Sequence, residues 1–360
     1  MREPLSPACE HRTAMTRLCR SVQSCTDLFK VLPLCAALLI PSLYSVSVSA
    51  NTDEATAPAY SIASAAAQTG LLLDVVRAGQ RLLTVGDRGH ILYSDNDGQS
   101  WAQAKVPTQQ LLTAVYFVDQ QYGWAVGHDA LILATTDAGE TWTRQYDDLE
   151  QESPLLDIWF KDRNQGYAVG AYGMLLKTDN GGQDWQRIDE QLDNEEGYHL
   201  NAISAVTDAG LFIVGEMGMM FRSADWGDSW EVLEGPYRGS LFGIVAGQQP
   251  QALVVYGLRG HIFRSNDFGE SWLETKVQTD SGDLQFGLAG ASFLSTGELV
   301  IVGHGGTVLR SENGAESFTV ASRADRASLT GVVASVDDGL ILVGQNGIHT
   351  TDAHGNDVAR

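Results

Sequence analysis

Cysteine is confined to the first 35 residues of this 360-residue chain, at Cys9, Cys19, Cys25 and Cys35. Beyond them there is no thiol, which excludes a disulfide, a Cys-ligated zinc and a thiol nucleophile from the rest of the chain. Basic residues are also scarce. Lys and Arg number 23 against 45 Asp and Glu, a formal net charge of −22. Such a chain repels phosphate backbones, so nucleic acid is not an expected partner. Proline is sparse at 9 residues, and no stretch keeps a convincing helical period, so essentially no helix is expected. Glycine is what the sequence has in quantity, with 38 residues. That suits many tight turns between short strands.

The N-terminal 50 residues differ from the rest. Arg2, Arg12, Arg17, Arg20 and Lys30 precede an apolar stretch over 31–44, and Val48-Ser49-Ala50 offers small residues at a cleavage site. This layout predicts a secretory signal peptide over 1–50, with Met15 an alternative start. A retained membrane anchor is the rival reading, and Pro33 and Pro41 interrupt the stretch it would need. A lipoprotein signal needs a small residue before its cysteine, and Leu34 precedes Cys35. Cleavage after Ala50 would leave 18 basic and 42 acidic residues in an exported chain that begins with a flexible leader over 51–59.

From residue 60 to 360 the sequence reads as one repetitive domain. A Val-Gly or Tyr-Gly pair recurs at Gly86, Gly127, Gly170, Gly215, Gly257, Gly303 and Gly344, in steps of 41 to 46 residues. A second small residue follows three positions later, at Gly89, Ala130, Gly173, Gly218, Gly260, Gly306 and Gly347. Each pair is expected to bracket a short turn in which glycine supplies positive φ. Two short apolar runs precede each pair and two follow it. Four strands per repeat and seven repeats predict an all-β fold, a seven-bladed β-propeller of four-stranded antiparallel blades. The seventh copy lacks a fourth strand, so the segment 60–67 is expected to close that blade.

The third turn of each repeat carries the most specific pattern. It reads SDNDGQSW at 94–101, TTDAGETW at 135–142, TDNGGQDW at 178–185, SADWGDSW at 223–230, SNDFGESW at 265–272 and SENGAESF at 311–318, and is worn down near Thr350 to Asp352. This is the Asp-box pattern. Its first hydroxyl (Ser94) and its third-position acid or amide (Asn96, Asp137, Asn180, Asp225, Asp267, Asn313) can accept from turn N–H groups. The fifth-position glycines (Gly98, Gly139, Gly182, Gly227, Gly269) permit a left-handed backbone, and the terminal aromatics (Trp101, Trp142, Trp185, Trp230, Trp272, Phe318) seal the hairpin. These residues are therefore assigned a structural role, with no catalytic residue and no metal among them.

Propeller topology sets the Asp boxes on one face and the second-to-third-strand turns on the other. On that other face the loops 145–154 and 189–198 carry Asp147, Asp148, Glu150, Glu152, Asp189, Glu190, Asp193, Glu195 and Glu196. Across the ring, Arg88, Arg238, Arg259, Arg323 and Arg326 are the expected basic side and the candidate partner-binding residues. Solvated loops are the plain alternative. Neither acidic loop has the ligand spacing of a calcium loop. Arg222, Arg264 and Arg310 precede box serines and are expected to pack locally. His90, His128, His261 and His304 sit by the turns without metal-site spacing.

The recurring Gly-Trp/Tyr-Ala-Val-Gly (Gly123–Gly127, Gly166–Gly170), turn, apolar strand and Asp box together resemble the photosystem II stability/assembly factors, over about residues 70–352. That resemblance implies an exported or lumenal, non-catalytic scaffold, a monomer without cofactor that binds a membrane-protein or envelope-complex partner through arginines on one face. Two alternatives stay open. Sialidase-like glycoside hydrolases also carry Asp boxes, although their Arg-Ile-Pro entry motif is absent here. An accessory protein of an envelope transporter would use the same scaffold with a different partner.

Overall fold

The computed structural model describes residues 59–358. Residues 72–351 form seven antiparallel blade sheets arranged as a seven-bladed propeller, with a small two-stranded hairpin, Gln278–Thr279 and Gly282–Asp283, beside them, and no α-helix occurs among the described residues. Blade one shows the unit: strands Leu72–Ala78, Arg81–Gly86, Ile91–Ser94 and Ala102–Gln103 pair in sequence order. The remaining innermost strands are Leu112–Phe117, Leu155–Phe160, Leu200–Val206, Leu241–Ala246, Leu288–Phe293 and Leu329–Ala334. The second strands are buried along nearly their whole length, as expected of central strands covered on both faces.

Each apolar cluster lies between adjacent blades. One joins blades one and two through Leu83, Val85, Val115 and Leu133, and another joins blades seven and one through Val75, Leu82, Ile341 and Val343. The ring thus closes by side-chain packing and by Thr330 Oγ1 donating to the Leu72 carbonyl at 2.8 Å. Charged groups on the box face add links between blades. Arg81 donates to the Ala138 carbonyl at 3.1 Å, and Arg222 to that of Phe268 at 3.2 Å. Both carbonyls belong to the fourth residue of the next blade's box.

The boxes have the geometry their spacing predicts. In the second, the Gly139 N–H donates to Thr135 Oγ1 at 3.0 Å and the Thr141 N–H to Asp137 Oδ1 at 3.0 Å. The Trp142 indole donates to the Gly139 carbonyl at 3.0 Å and meets Phe117 edge to face. Hydroxyl donors from Ser223 and Ser229 hold the Asp225 carboxyl down at about 2.

The glycine pairs require a correction. Gly86 has φ 177 and Gly170 φ −163, both extended backbone. Glycine is needed there for room: a Cβ would stand 2.2 Å from the Leu71 carbonyl at Gly86 and 2.5 Å from the Pro154 carbonyl at Gly170. The crowding arises because the next residue's N–H bonds that same carbonyl, as Asp87 does to Leu71 and Ala171 to Pro154, both at 2.9 Å. The positive φ falls two and three residues later, at Arg88 (56°) and Gly89 (67°).

Blade seven also differs from expectation. Its sheet has three strands, Leu329–Ala334, Leu340–Gly344 and Gly347–Thr351. The segment 60–67 does not add a fourth. The Ser61 N–H bonds the Val106 carbonyl at 2.9 Å, and Gln103 and Gln109 side chains hold the Ile62 and Tyr60 carbonyls, all on blade one. Three alanines then favour a 3-10 turn, Ala65–Thr69, capped by Ser64. The chain's own tail starts the missing position instead, through a Thr351–Asp357 bridge and a Val358 N–H bond to Thr350. The predicted signal peptide and nearly all of the leader lie outside the described residues.

Candidate docking face

In blades one to six the turn between second and third strands has a residue of left-handed backbone at its apex. These apices are Arg88, Asp129, Tyr172, Met217 and Arg259, all with φ between 55° and 58°, and Gly305 at 66°. A left-handed backbone costs a bulky residue about 1 to 2 kcal/mol. The same bond accompanies it in these blades: the residue before the apex bonds the carbonyl ahead of the inner strand, as Leu258 does to Ser240 at 2.9 Å. The conformation aims the side chain away from the blade. Arg88 is 79% exposed, Tyr172 64% and Met217 51%. Leu258 and Phe286 are exposed beside them, with the Phe286 ring seated against Gly305.

Four of the five arginines expected on this face are solvent-facing. Arg88 has one 3.4 Å contact with Asp87, while Arg238, Arg259 and Arg326 are exposed and form no ion pair among the described residues. Arg323 is the exception and corrects the expectation, being 5% exposed. It donates to the Gly355 carbonyl at 2.9 Å, to both Asp357 oxygens at 3.0 Å, to Asp325 at 3.1 Å and to His349 Nδ1 at 3.0 Å. It fastens the tail to blade seven and cannot meet a partner. Burial, with Arg323 alongside, pushes the His349 imidazole below its usual range.

The acidic loops are partly neutralised within themselves. Asp147 pairs with Arg144 at 3.2 Å and Asp189 with Arg187 at 2.5 Å, while Asp148 caps the Glu150 and Gln151 N–H groups. Glu150, Glu190, Asp193, Glu195 and Glu196 remain exposed. The histidines do not converge. His90 contacts the Ile62 carbonyl, and His261 pairs with Glu274 and lies tilted against the Tyr237 ring.

The sequence reading missed two carboxylates in the central channel, a cavity of about 190 Å³ lined by Asp74, Asp157 and Tyr256 among inner-strand residues. Asp74 accepts from the Val75 N–H at 2.8 Å and from the Val115 N–H of blade two at 2.9 Å. Asp157 repeats this with Ile158 at 2.8 Å and Ile203 of blade four at 2.9 Å. Burial raises both, Asp157 to about 7 with a further push from Asp74. The signal was present: Asp at the bulge position of blades one and three, where the other inner strands have Ala or Gly.

The family described as photosynthesis system II assembly factor YCF48 matches over residues 93–153 and 143–285, more than half of the chain. The chain belongs to the YCF48 family. Within it, 61 residues are 41% identical to the photosystem II stability/assembly factor HCF136, chloroplastic, of Cyanidioschyzon merolae, a match spanning 16% of this chain and 14% of that protein. Solved relatives share the fold. The structure of YCF48 from Cyanidioschyzon merolae aligns with a TM-score of 0.62 at 16% identity, over 82% of this chain and 99% of that one. YCF48 bound to D1 peptide aligns at 0.59 and 19% identity, over 78% and 92%. The propeller itself is not specific to the YCF48 family: a streptogramin B lyase aligns at 0.66 and 14% identity, over 78% and 93%.

Proposed function

We propose that this YCF48-family chain is an exported, non-catalytic, monomeric scaffold that binds a membrane-protein partner through the turn face, using Arg88, Arg238, Arg259 and Arg326. The observation that carries the reading is the set of exposed arginines on one rim, three of them without an ion pair. Charge left unneutralised in so acidic a chain supports a role in contact with an anionic or carboxylate-rich surface. The strained apices support it further, since outliers held by the surrounding backbone point to function. The D1 peptide bound by the solved YCF48 supports a polypeptide from a membrane protein as the ligand class.

Export rests on the layout of residues 1–50. Sequencing the N terminus of the protein recovered from its native envelope tests it: a start near Asn51 is expected, and a retained residue 1 or 15 contradicts it. The non-catalytic reading draws support from the channel, where each oxygen of Asp74 and Asp157 already accepts a backbone N–H. Each carboxylate is thereby tied to the backbone of its own blade and the next. Hydrolysis of a sialoside or glycoside panel that disappears in Asp157→Asn would overturn it. For the binding face, Arg88→Glu combined with Arg259→Glu is expected to abolish capture of the partner from native membranes while the melting temperature stays unchanged.

A further inference from the structure

On the opposite face one arginine breaks a rule that its repeats obey. Arg222, Arg264 and Arg310 occupy the same place, immediately before the box serine of blades four, five and six. Arg222 is bound by Glu231 across the sheet, by Glu270 of the next blade and by the Phe268 carbonyl. Arg310 is bound by Glu298 and by the Ala353 carbonyl of the next blade. Arg264 forms no hydrogen bond among the described residues. Its one charge contact is Glu316 at 3.5 Å, and its Nε is buried without an acceptor.

The sequence explains the vacancy. Leu273 stands across the sheet from Arg264, where Glu231 stands from Arg222. The carbonyl expected from the next blade belongs to Gly314, and the space around that glycine is open. Between them lies a cleft of about 310 Å³, whose lining includes Arg264, Gly314, Gln248, Gln249 and Asn266. The volume is near the lower end for small-molecule sites. A guanidinium short of acceptors calls for an anion, and its planar fork matches a carboxylate. Glu312 on the rim and Glu316 beside the arginine oppose a doubly charged anion.

We propose that this cleft binds a singly charged carboxylate, held by Arg264 and the surrounding amides. The site is independent of the turn face. The carboxylate can belong to a free small acid or to a glutamate side chain of a peptide. Calorimetric titration of the full-length chain with acetate, with acetyl-Ala-Glu-Ala-amide and with inorganic phosphate separates these sources. Saturable binding of acetate or the peptide is expected, with a shift of the Arg264 Nε–H resonance and weaker binding of phosphate. Whichever carboxylate binds more tightly identifies the source. Arg264→Gln should weaken binding by about tenfold or more, while Arg222→Gln should leave it unchanged. Leu273→Glu supplies the missing internal partner and should abolish binding in a fully folded protein. The proposal is overturned if neither carboxylate saturates, if phosphate binds as tightly, or if Leu273→Glu binds like wild type.

Discussion

Asp157 of blade three accepts the Ile203 N–H of blade four at 2.9 Å, joining two inner strands from within the channel. The bond comes with a buried carboxyl raised to about 7, first by burial and then by Asp74. In the unfolded chain such a group titrates at about 3.9. Between about pH 4 and 7 the folded state therefore keeps a proton that the unfolded chain releases, and this group's contribution to stability falls as pH rises. Asp157→Asn removes that term. The melting temperature of the variant relative to wild type should move in the variant's favour from about pH 5 to 8. A difference that stays constant across the range contradicts the assignment.

Arg323 and His349 give the opposite sign. The Arg323 guanidinium donates to His349 Nδ1, so the imidazole is held neutral among Arg323, Asp325 and Asp357. Its lowered folded value means that its stabilisation is present above about pH 6.5 and lost as pH falls through that lowered value. Arg323→Gln should cost about 1 to 3 kcal/mol, because it leaves the buried Gly355 carbonyl and His349 Nδ1 without their donor. Hydrogen exchange should show Gly347–Thr351 losing protection first in that variant, and at acidic pH in wild type.

Crowding and backbone conformation separate two kinds of glycine. Gly86→Ala would drive a Cβ to 2.2 Å from the Leu71 carbonyl although its φ is extended, whereas Gly314 has φ 68° with open space around it. Denaturant titration should find Gly86→Ala destabilising by more than ~3 kcal/mol, beyond the ~1 to 2 kcal/mol that a left-handed alanine costs at Gly314. Equal effects would mean that the close approach does not constrain the turn.

The Asp boxes should behave as structure. Asp137 takes hydrogen bonds from Thr135, from the Thr141 N–H and from the Thr141 hydroxyl. Asp137→Ala should cost about 1 to 3 kcal/mol and leave partner capture unchanged. Loss of capture with an unaltered melting temperature would return the boxes to the list of binding residues.

These contrasts show what sequence could and could not carry. The boxes are local, eight consecutive residues bonding one another, so their spacing alone specified Gly139, Asp137 and Trp142. The ring followed from their repetition. Burial of Arg323 was not legible, because its partner Asp357 is 34 residues away and belongs to another blade. Nor was the closure of blade seven: the segment 60–67 has small and apolar residues compatible with a strand, and its bonds to Val106, Gln103 and Gln109 assign it to blade one. Gly86 was found for the wrong reason, since a repeated glycine does not distinguish positive φ from a carbonyl at close range. Arg264 reads like Arg222 in sequence, and only the missing partners tell them apart.

The turn face as the docking surface is the central claim, and site-specific photocrosslinking tests it most directly. A photoreactive residue at Met217 or Leu258, on that face, is compared with one at Val336 or Ser271, on the box face, in the native envelope. The account predicts a covalent adduct with the same membrane protein from Met217 and Leu258 and none from Val336 or Ser271. An adduct formed from the box face alone would contradict it.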